Sequence, residues 1–148
     1  MWTHTYPDVQ EAIGAAAAEI DAMRTRGDAL DEQLISEWSR AGGVKYAAVL
    51  ALAWRQVLAA LKTVWATDRN ASWTFLKEIS TNGDMSTVDV IFPSTPMLLH
   101  AAPELLRQLL LPVLAYAHNE TYVQFSDPYS PHQLGTYPIA NAPTKEQV

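Results

Sequence analysis

Cysteine is absent from this chain of 148 residues. Its absence removes disulfides, thiolate catalysis, iron–sulfur clusters and cysteine-rich zinc sites together. Basic residues are scarce as well: ten Lys and Arg stand against sixteen Asp and Glu, a formal charge of −6. A nucleic-acid backbone or an anionic membrane calls for a basic face, so neither is expected as a partner. Long apolar runs are missing too. The longest lies between Tyr46 and Trp54 and stops at Arg55-Gln56, well short of the ~18 residues of a membrane span. The opening residues Trp2-Thr3-His4-Thr5 lack the charged start and apolar stretch of a secretion signal. Glycine numbers only six, and no phosphate-binding glycine loop appears.

What remains is a core-forming composition. Hydrophobic residues make up 49% and charged ones 18%, which suits a packed domain and not a disordered chain. Four segments read as helices. The first follows Tyr6-Pro7-Asp8, and Val9, Ile13, Ala16, Ile20 and Met23 then recur on one face. Gly27 is expected to end it and Asp28 to cap the next, where Leu30, Leu34 and Trp38 share a face before Gly42-Gly43. The third runs from about Lys45 to Trp65. Its polar residues Lys45, Arg55, Gln56 and Lys62 fall in one narrow sector, so a helix covered on two sides is expected. The fourth opens at Pro103 and runs to about Ala117, with Pro112 inside it and a short helical turn at Thr95 to His100 before it.

Between the third and fourth helices the texture changes. Trp73-Thr74-Phe75-Leu76 and Val88-Asp89-Val90-Ile91-Phe92 have strand-forming composition, and Thr81-Asn82-Gly83-Asp84 between them is turn chemistry. A short β-like insertion around 73–92 is therefore expected. After Asn119, prolines at 128, 131, 138 and 143 predict an irregular tail.

Two polar, glycine- and proline-bearing stretches stand out: 77–89 and 130–138. Irregular segments on a helical scaffold are where sites tend to be found. The first supplies Glu78, Asp84 and Asp89. Hydrolysis of an amide or glycosidic bond commonly needs one group holding a proton and another activating water, roles that two converging carboxylates can divide. A plainer reading has Asp84 satisfying the turn, Lys77 and Glu78 facing solvent, and Asp89 capping or pairing with an arginine. The second stretch offers His132, a proton shuttle by type, and Tyr137, a donor to developing negative charge. Here the plainer reading is a loop histidine and a tyrosine packed beside Pro138. Ser80, Ser86 and Thr87 are weaker nucleophile candidates, with no Gly-x-Ser-x-Gly turn around them. His4, His100, His118 and His132 lack ligand spacing, so no metal site and no cofactor is expected. Arg55 falls with Lys45 and Lys62 on a solvated face. Two glycosylation sequons, at Asn70 and Asn119, lie at expected helix ends.

The same stretches carry a resemblance. Lys45-Tyr46-Ala47-Ala48 leading to Leu52-Ala53-Trp54-Arg55-Gln56 is the first block, and Lys77-Glu78-Ile79-Ser80-Thr81-Asn82-Gly83-Asp84 the second. Ser86-Thr87-Val88-Asp89-Val90-Ile91-Phe92-Pro93 and Leu134-Gly135-Thr136-Tyr137-Pro138-Ile139-Ala140-Asn141 follow in order. From about Gly43 to Asn141 the chain resembles the fungal glutaminase A family, in its six-hairpin domain. One position departs: His132 is followed by Gln133, where many members carry aspartate.

The resemblance implies a mainly α fold, the first helical hairpins of an (α/α)6 toroid. It implies a secreted hydrolase converting L-glutamine to L-glutamate and ammonia. Asp89, Glu78 and Asp84 are then the expected catalytic residues, Asp89 foremost, and Lys77, Asn82, His132 and Tyr137 the expected substrate contacts. The helices of residues 1–148 are too few to close such a ring. An incomplete six-hairpin domain is expected, inactive in isolation if its remainder is required, with that remainder and a small-molecule substrate as its partners. Two alternatives stay open at this point: a toroid acting on a sugar, and a non-catalytic truncated paralogue.

Overall fold

The computed structural model describes residues 2–78, 82–119 and 130–140. The chain divides into two compact units, residues 1–56 and 57–148. Most of the described residues are helical, and a two-stranded antiparallel sheet is the only sheet among them.

The first unit consists of α1 (Trp2–Thr5) and the greater part of α2 (Val9–Ala60). Asp8 starts α2: its Oδ1 accepts the Glu11 N–H at 2.9 Å, satisfying one of the free donors of a first turn. Gly27 was expected to end a helix and does not; α2 runs through it. One glycine among strong helix formers lowers stability by only about 1 kcal/mol, and the helix continues through Asp28, the expected cap, as well. The break comes instead at Gly43, whose φ of 83° and ψ of 174° are open to glycine alone. Gly42 is needed for space. A Cβ there would sit 2.5 Å from Cγ of Tyr46.

Leu34, Trp38, Ala47 and Trp54 are the buried residues of α2. The stripe of Val9, Ile13, Ala16, Ile20 and Met23 has the helical spacing expected of it, but these side chains are exposed, as is Leu30, whose expected face-mates Leu34 and Trp38 are buried. The expectation of a helix covered on two sides also fails. Ala47 and Trp54 are buried, whereas Tyr46, Val49, Leu52 and Leu58 stand exposed. Helical period establishes which residues share a face, not whether another element covers that face.

In the second unit the chain leaves α2 at Ala60 and forms β1 (Leu61–Ala66), a turn, and β2 (Ala71–Leu76). The strands pair antiparallel, from Leu61 opposite Leu76 to Ala66 opposite Ala71. The third helix was therefore expected to run too far. Thr63, Val64 and Trp65 are β-formers, and opposite Thr74, Trp73 and Ser72 they gain cross-strand partners that a helix cannot give them. The turn is residues 67–70, with Asn70 at φ 48°, so the Asn70 sequon lies at a hairpin tip and not at a helix end.

The second expected strand is a helix. Residues 88–92 open α3 (Val88–Ala101), which extends the short turn expected at 95–100. The Thr87 carbonyl accepts the N–H groups of Val90 at 3.1 Å and Ile91 at 3.0 Å, closing the first turn. Within α3, Pro93 and Pro96 cannot donate to the preceding turn; Ser94 and Thr95 hydroxyls donate to the Ile91 carbonyl at 2.7 and 3.2 Å. Ala102 separates α3 from α4 (Pro103–Ala117), which begins at proline as expected.

β2 packs on α4, and α4 on α3. Leu76, Met85, Ile91, Leu98, Leu106, Leu109, Val113 and Leu134 form the buried apolar set of this unit. A polar thread crosses it. Thr74, fully buried, donates to Oε1 of Gln108 at 3.2 Å, so Thr63 is the donor in the 3.0 Å contact between the two threonine hydroxyls. Gln108 in turn donates to Glu104 at 3.1 Å, which also accepts both Arg107 donors at 2.8 and 2.7 Å. Hydrogen bonds from Arg107 and then Gln108 hold the Glu104 carboxyl down to about 2.

Candidate functional site

The end of β2, residues 82–88 and residues 132–137 are laced together through the main chain. Lys77 and Met85 form an isolated β-bridge, as do Asp84 and Thr136. The Ser86 N–H donates to the Leu76 carbonyl at 2.6 Å and the Glu78 N–H to that of Asp84 at 2.8 Å. On the other side, the Met85 N–H reaches the Gly135 carbonyl and the Leu134 N–H the Met85 carbonyl, both at 2.8 Å. The Val88 N–H closes on the His132 carbonyl at 2.9 Å, and the Tyr137 N–H on that of Gly83 at 2.6 Å. The two polar stretches singled out in the sequence are thus one structure.

Two glycines permit this lacing. A Cβ on Gly83 would lie 2.9 Å from Cγ2 of Thr136. Gly135 takes a φ of 108°, and its N–H donates to Oε1 of Gln133 at 2.6 Å. Gln133 is 2% exposed. Gln133 thus points inward and braces the loop.

The expected site residues gather here in small groups. His132 Nε2 lies 4.0 Å from Asp89 Oδ2. Asp89 does not stand at a strand end, as its surroundings in the sequence suggested; it is the second residue of α3, with its side chain 74% exposed. Nor is its partner an arginine. Lys77 Nζ lies 5.7 Å from the centre of the Tyr137 ring, a cation–π contact, and 3.4 Å from the Glu78 carbonyl oxygen. Glu78 is half-buried, and its Oε2 accepts the Thr87 hydroxyl at 2.6 Å. Asn82 Oδ1 accepts the Asp84 N–H at 3.1 Å, so the asparagine, not the aspartate side chain, satisfies the turn.

Other expected residues lie apart or outside the description. Asn70 is in the β1–β2 turn, and Asn119 follows the end of α4. Ser80 and Thr81, and the rest of the Asn119 sequon, lie outside the described residues. Among the described residues no group of three or more His, Cys, Asp or Glu side chains is arranged to hold a metal ion. Among the described residues no helix is long and apolar enough to cross a membrane either.

Sequence reasoning undervalued Ser86 and Thr87, which it weighed only as nucleophiles. Both are buried. Ser86 adopts φ 56°, and its Oγ has no hydrogen-bond partner among the described residues. Thr87 is the N-cap residue of α3. The signal was present: a Ser-Thr pair followed by an acid and an apolar run is a helix-start pattern.

The chain is similar to Glutaminase A of Aspergillus oryzae, at 38% identity over 98% of this chain and 20% of that protein. It is also similar to a probable glutaminase of Arthroderma benhamiae, at 34% identity over 93% of this chain and 15% of that protein. The chain therefore spans a fifth or less of the length of these relatives. No solved structure matches it. Residues 43–148 match the family described as the Glutaminase A six helical-hairpin domain, and they take in both laced stretches; the chain belongs to the glutaminase A family.

Proposed function

We propose that this chain carries part of the active site of a glutaminase-type amidohydrolase that converts L-glutamine to L-glutamate and ammonia. The observation that carries the reading is the Asp89–His132 pair, 4.0 Å apart and open to solvent, at the junction of the two laced stretches. Amide hydrolysis adds water to the side-chain carbonyl carbon, breaks the C–N bond, and sends the nitrogen away as ammonia with an added proton. One group must take the proton from water and return it to the leaving nitrogen. A histidine suits that two-way transfer near neutral pH, and a facing carboxylate orients its ring and supports its charged form.

The remaining residues fit an amino-acid substrate. Lys77 supplies a cation for the α-carboxylate, and Glu78 an anion for the α-ammonium. Tyr137 shares the lysine's surroundings, while Asn82 and Asp84 form the adjoining turn. The remainder of its own domain is the expected partner, since the relatives extend well beyond the matched segment. Secretion is part of this proposal, and the exposed hairpin turn at Asn70 suits a glycan acceptor.

The test replaces the matching segment of the Aspergillus oryzae Glutaminase A with this chain and measures ammonia release from L-glutamine, beside a panel of glycosides. Glutamine turnover by a folded chimera supports the reading. A folded chimera without glutamine turnover, or one that cleaves only a glycoside, contradicts it.

A further inference from the structure

We infer that Thr87 is a positioning residue for Glu78: it engages Oε2 and leaves Oε1 as the oxygen offered to the ammonium group of the substrate. This rests on the amidohydrolase reading for the substrate's identity, but the hydrogen bond itself does not.

Thr87 occupies the N-cap of α3, with φ −58° and ψ 118°, yet its side chain makes no capping hydrogen bond. A threonine in that place ordinarily offers its hydroxyl oxygen to the N–H of the second or third helical residue. Here the hydroxyl turns away and donates to Glu78 at 2.6 Å, within the range of a hydroxyl bound to an ionised carboxylate. Thr87 is 1% exposed, so the donating hydroxyl is shielded from water. The glutamate is fixed from a second direction by its own N–H, which donates to the Asp84 carbonyl at 2.8 Å. Backbone and carboxylate are both held, as orientation of a substrate group requires.

The same helix start serves the proposed acid–base pair. Val88, next to Thr87, donates its N–H to the His132 carbonyl, and Asp89 follows it. One turn of helix therefore carries the holder of Glu78 and the carboxylate facing His132.

Three variants test the inference: Thr87→Val, which keeps the shape and removes the donor, Thr87→Ser, which keeps the donor, and Glu78→Gln. In the active chimera, Thr87→Val is expected to raise KM for L-glutamine about tenfold, as loss of a hydrogen bond to a charged group does. Its kcat should fall less, and Thr87→Ser should restore KM. Nuclear magnetic resonance of the chain itself supplies a readout independent of activity. In the unaltered protein the Thr87 hydroxyl proton should exchange slowly and show a contact to the Glu78 side chain. The Glu78 carboxyl carbon resonance should move in Thr87→Val and return in Thr87→Ser.

If the chimera releases no ammonia, the amidohydrolase reading fails, and the resonance data alone decide whether Thr87 holds Glu78. An absent hydroxyl contact in the unaltered protein overturns the inference. So does a Thr87→Val variant with unchanged KM.

Discussion

The imidazole of His132 faces the carboxylate of Asp89 at 4.0 Å, with side chains 54% and 74% exposed, although the two come from separate stretches of the chain. A pair so open to solvent contributes little to folding, typically under ~1 kcal/mol. Asp89 also stands in the first turn of α3, where a negative charge adds only a few tenths to about 1 kcal/mol. The Asp89→Asn variant is therefore expected to unfold in urea within about 1 kcal/mol of the unaltered protein. A larger loss would assign the pair to the scaffold.

Gln133 is where the scaffold of the site is held. Its Oε1 accepts the Gly135 N–H at 2.6 Å in a buried setting. Gln133→Leu removes the acceptor and leaves that N–H unpaired, an expected cost of about 1–3 kcal/mol in urea unfolding. An unchanged midpoint would show that the loop is held by its backbone bonds alone.

Ser86 stores strain beside the site. Its φ of 56° is unfavourable for any residue with a Cβ, and its buried Oγ has no partner among the described residues. Ser86→Gly relieves both terms and is expected to raise stability by about 1 kcal/mol. Destabilisation on that change would mean the hydroxyl has a function in holding the loop.

Glu104 predicts a pH dependence. Its carboxyl is held at about 2 in the folded chain, below an ordinary value of 4.5, first by the hydrogen bond from Arg107 and then by that from Gln108. A carboxyl lowered by folding favours the folded state fully above its unfolded value. Its contribution is lost as pH falls from about 4.5 through about 2. The Glu104→Gln variant should therefore differ most from the unaltered protein above pH 4.5 and converge with it toward pH 2. The group is exposed, so the difference should shrink in high salt; melting curves at several pH and salt values check both trends.

The parts legible in the sequence were those with one physical reading. Pro103 opening α4, the Gly42-Gly43 break, and the strand through Trp73–Leu76 all appear in the structure. Composition singled out 77–89 and 130–138 separately, and the main-chain bonds that join them depend on long-range pairing that composition does not reveal. Where two readings competed, the sequence misled. Residues 61–66 are apolar at both helical and strand periods, and only the pairing with 71–76 decides. Val88–Phe92 is β-branched and aromatic, yet Thr87 closes a helical turn on it. The apolar stripe from Val9 to Met23 was legible as a face, but its exposure depends on elements its own residues do not specify. Thr87 was undervalued because its role depends on where its hydroxyl turns, which no spacing reveals.

The measurement that tests the account most directly is the turnover of L-glutamine by the chimera with and without Asp89→Asn. Removal of the carboxylate that orients and supports the general acid–base histidine is expected to lower kcat by about 100-fold or more while the folded state is preserved. Turnover equal to that of the unaltered chimera would contradict the account.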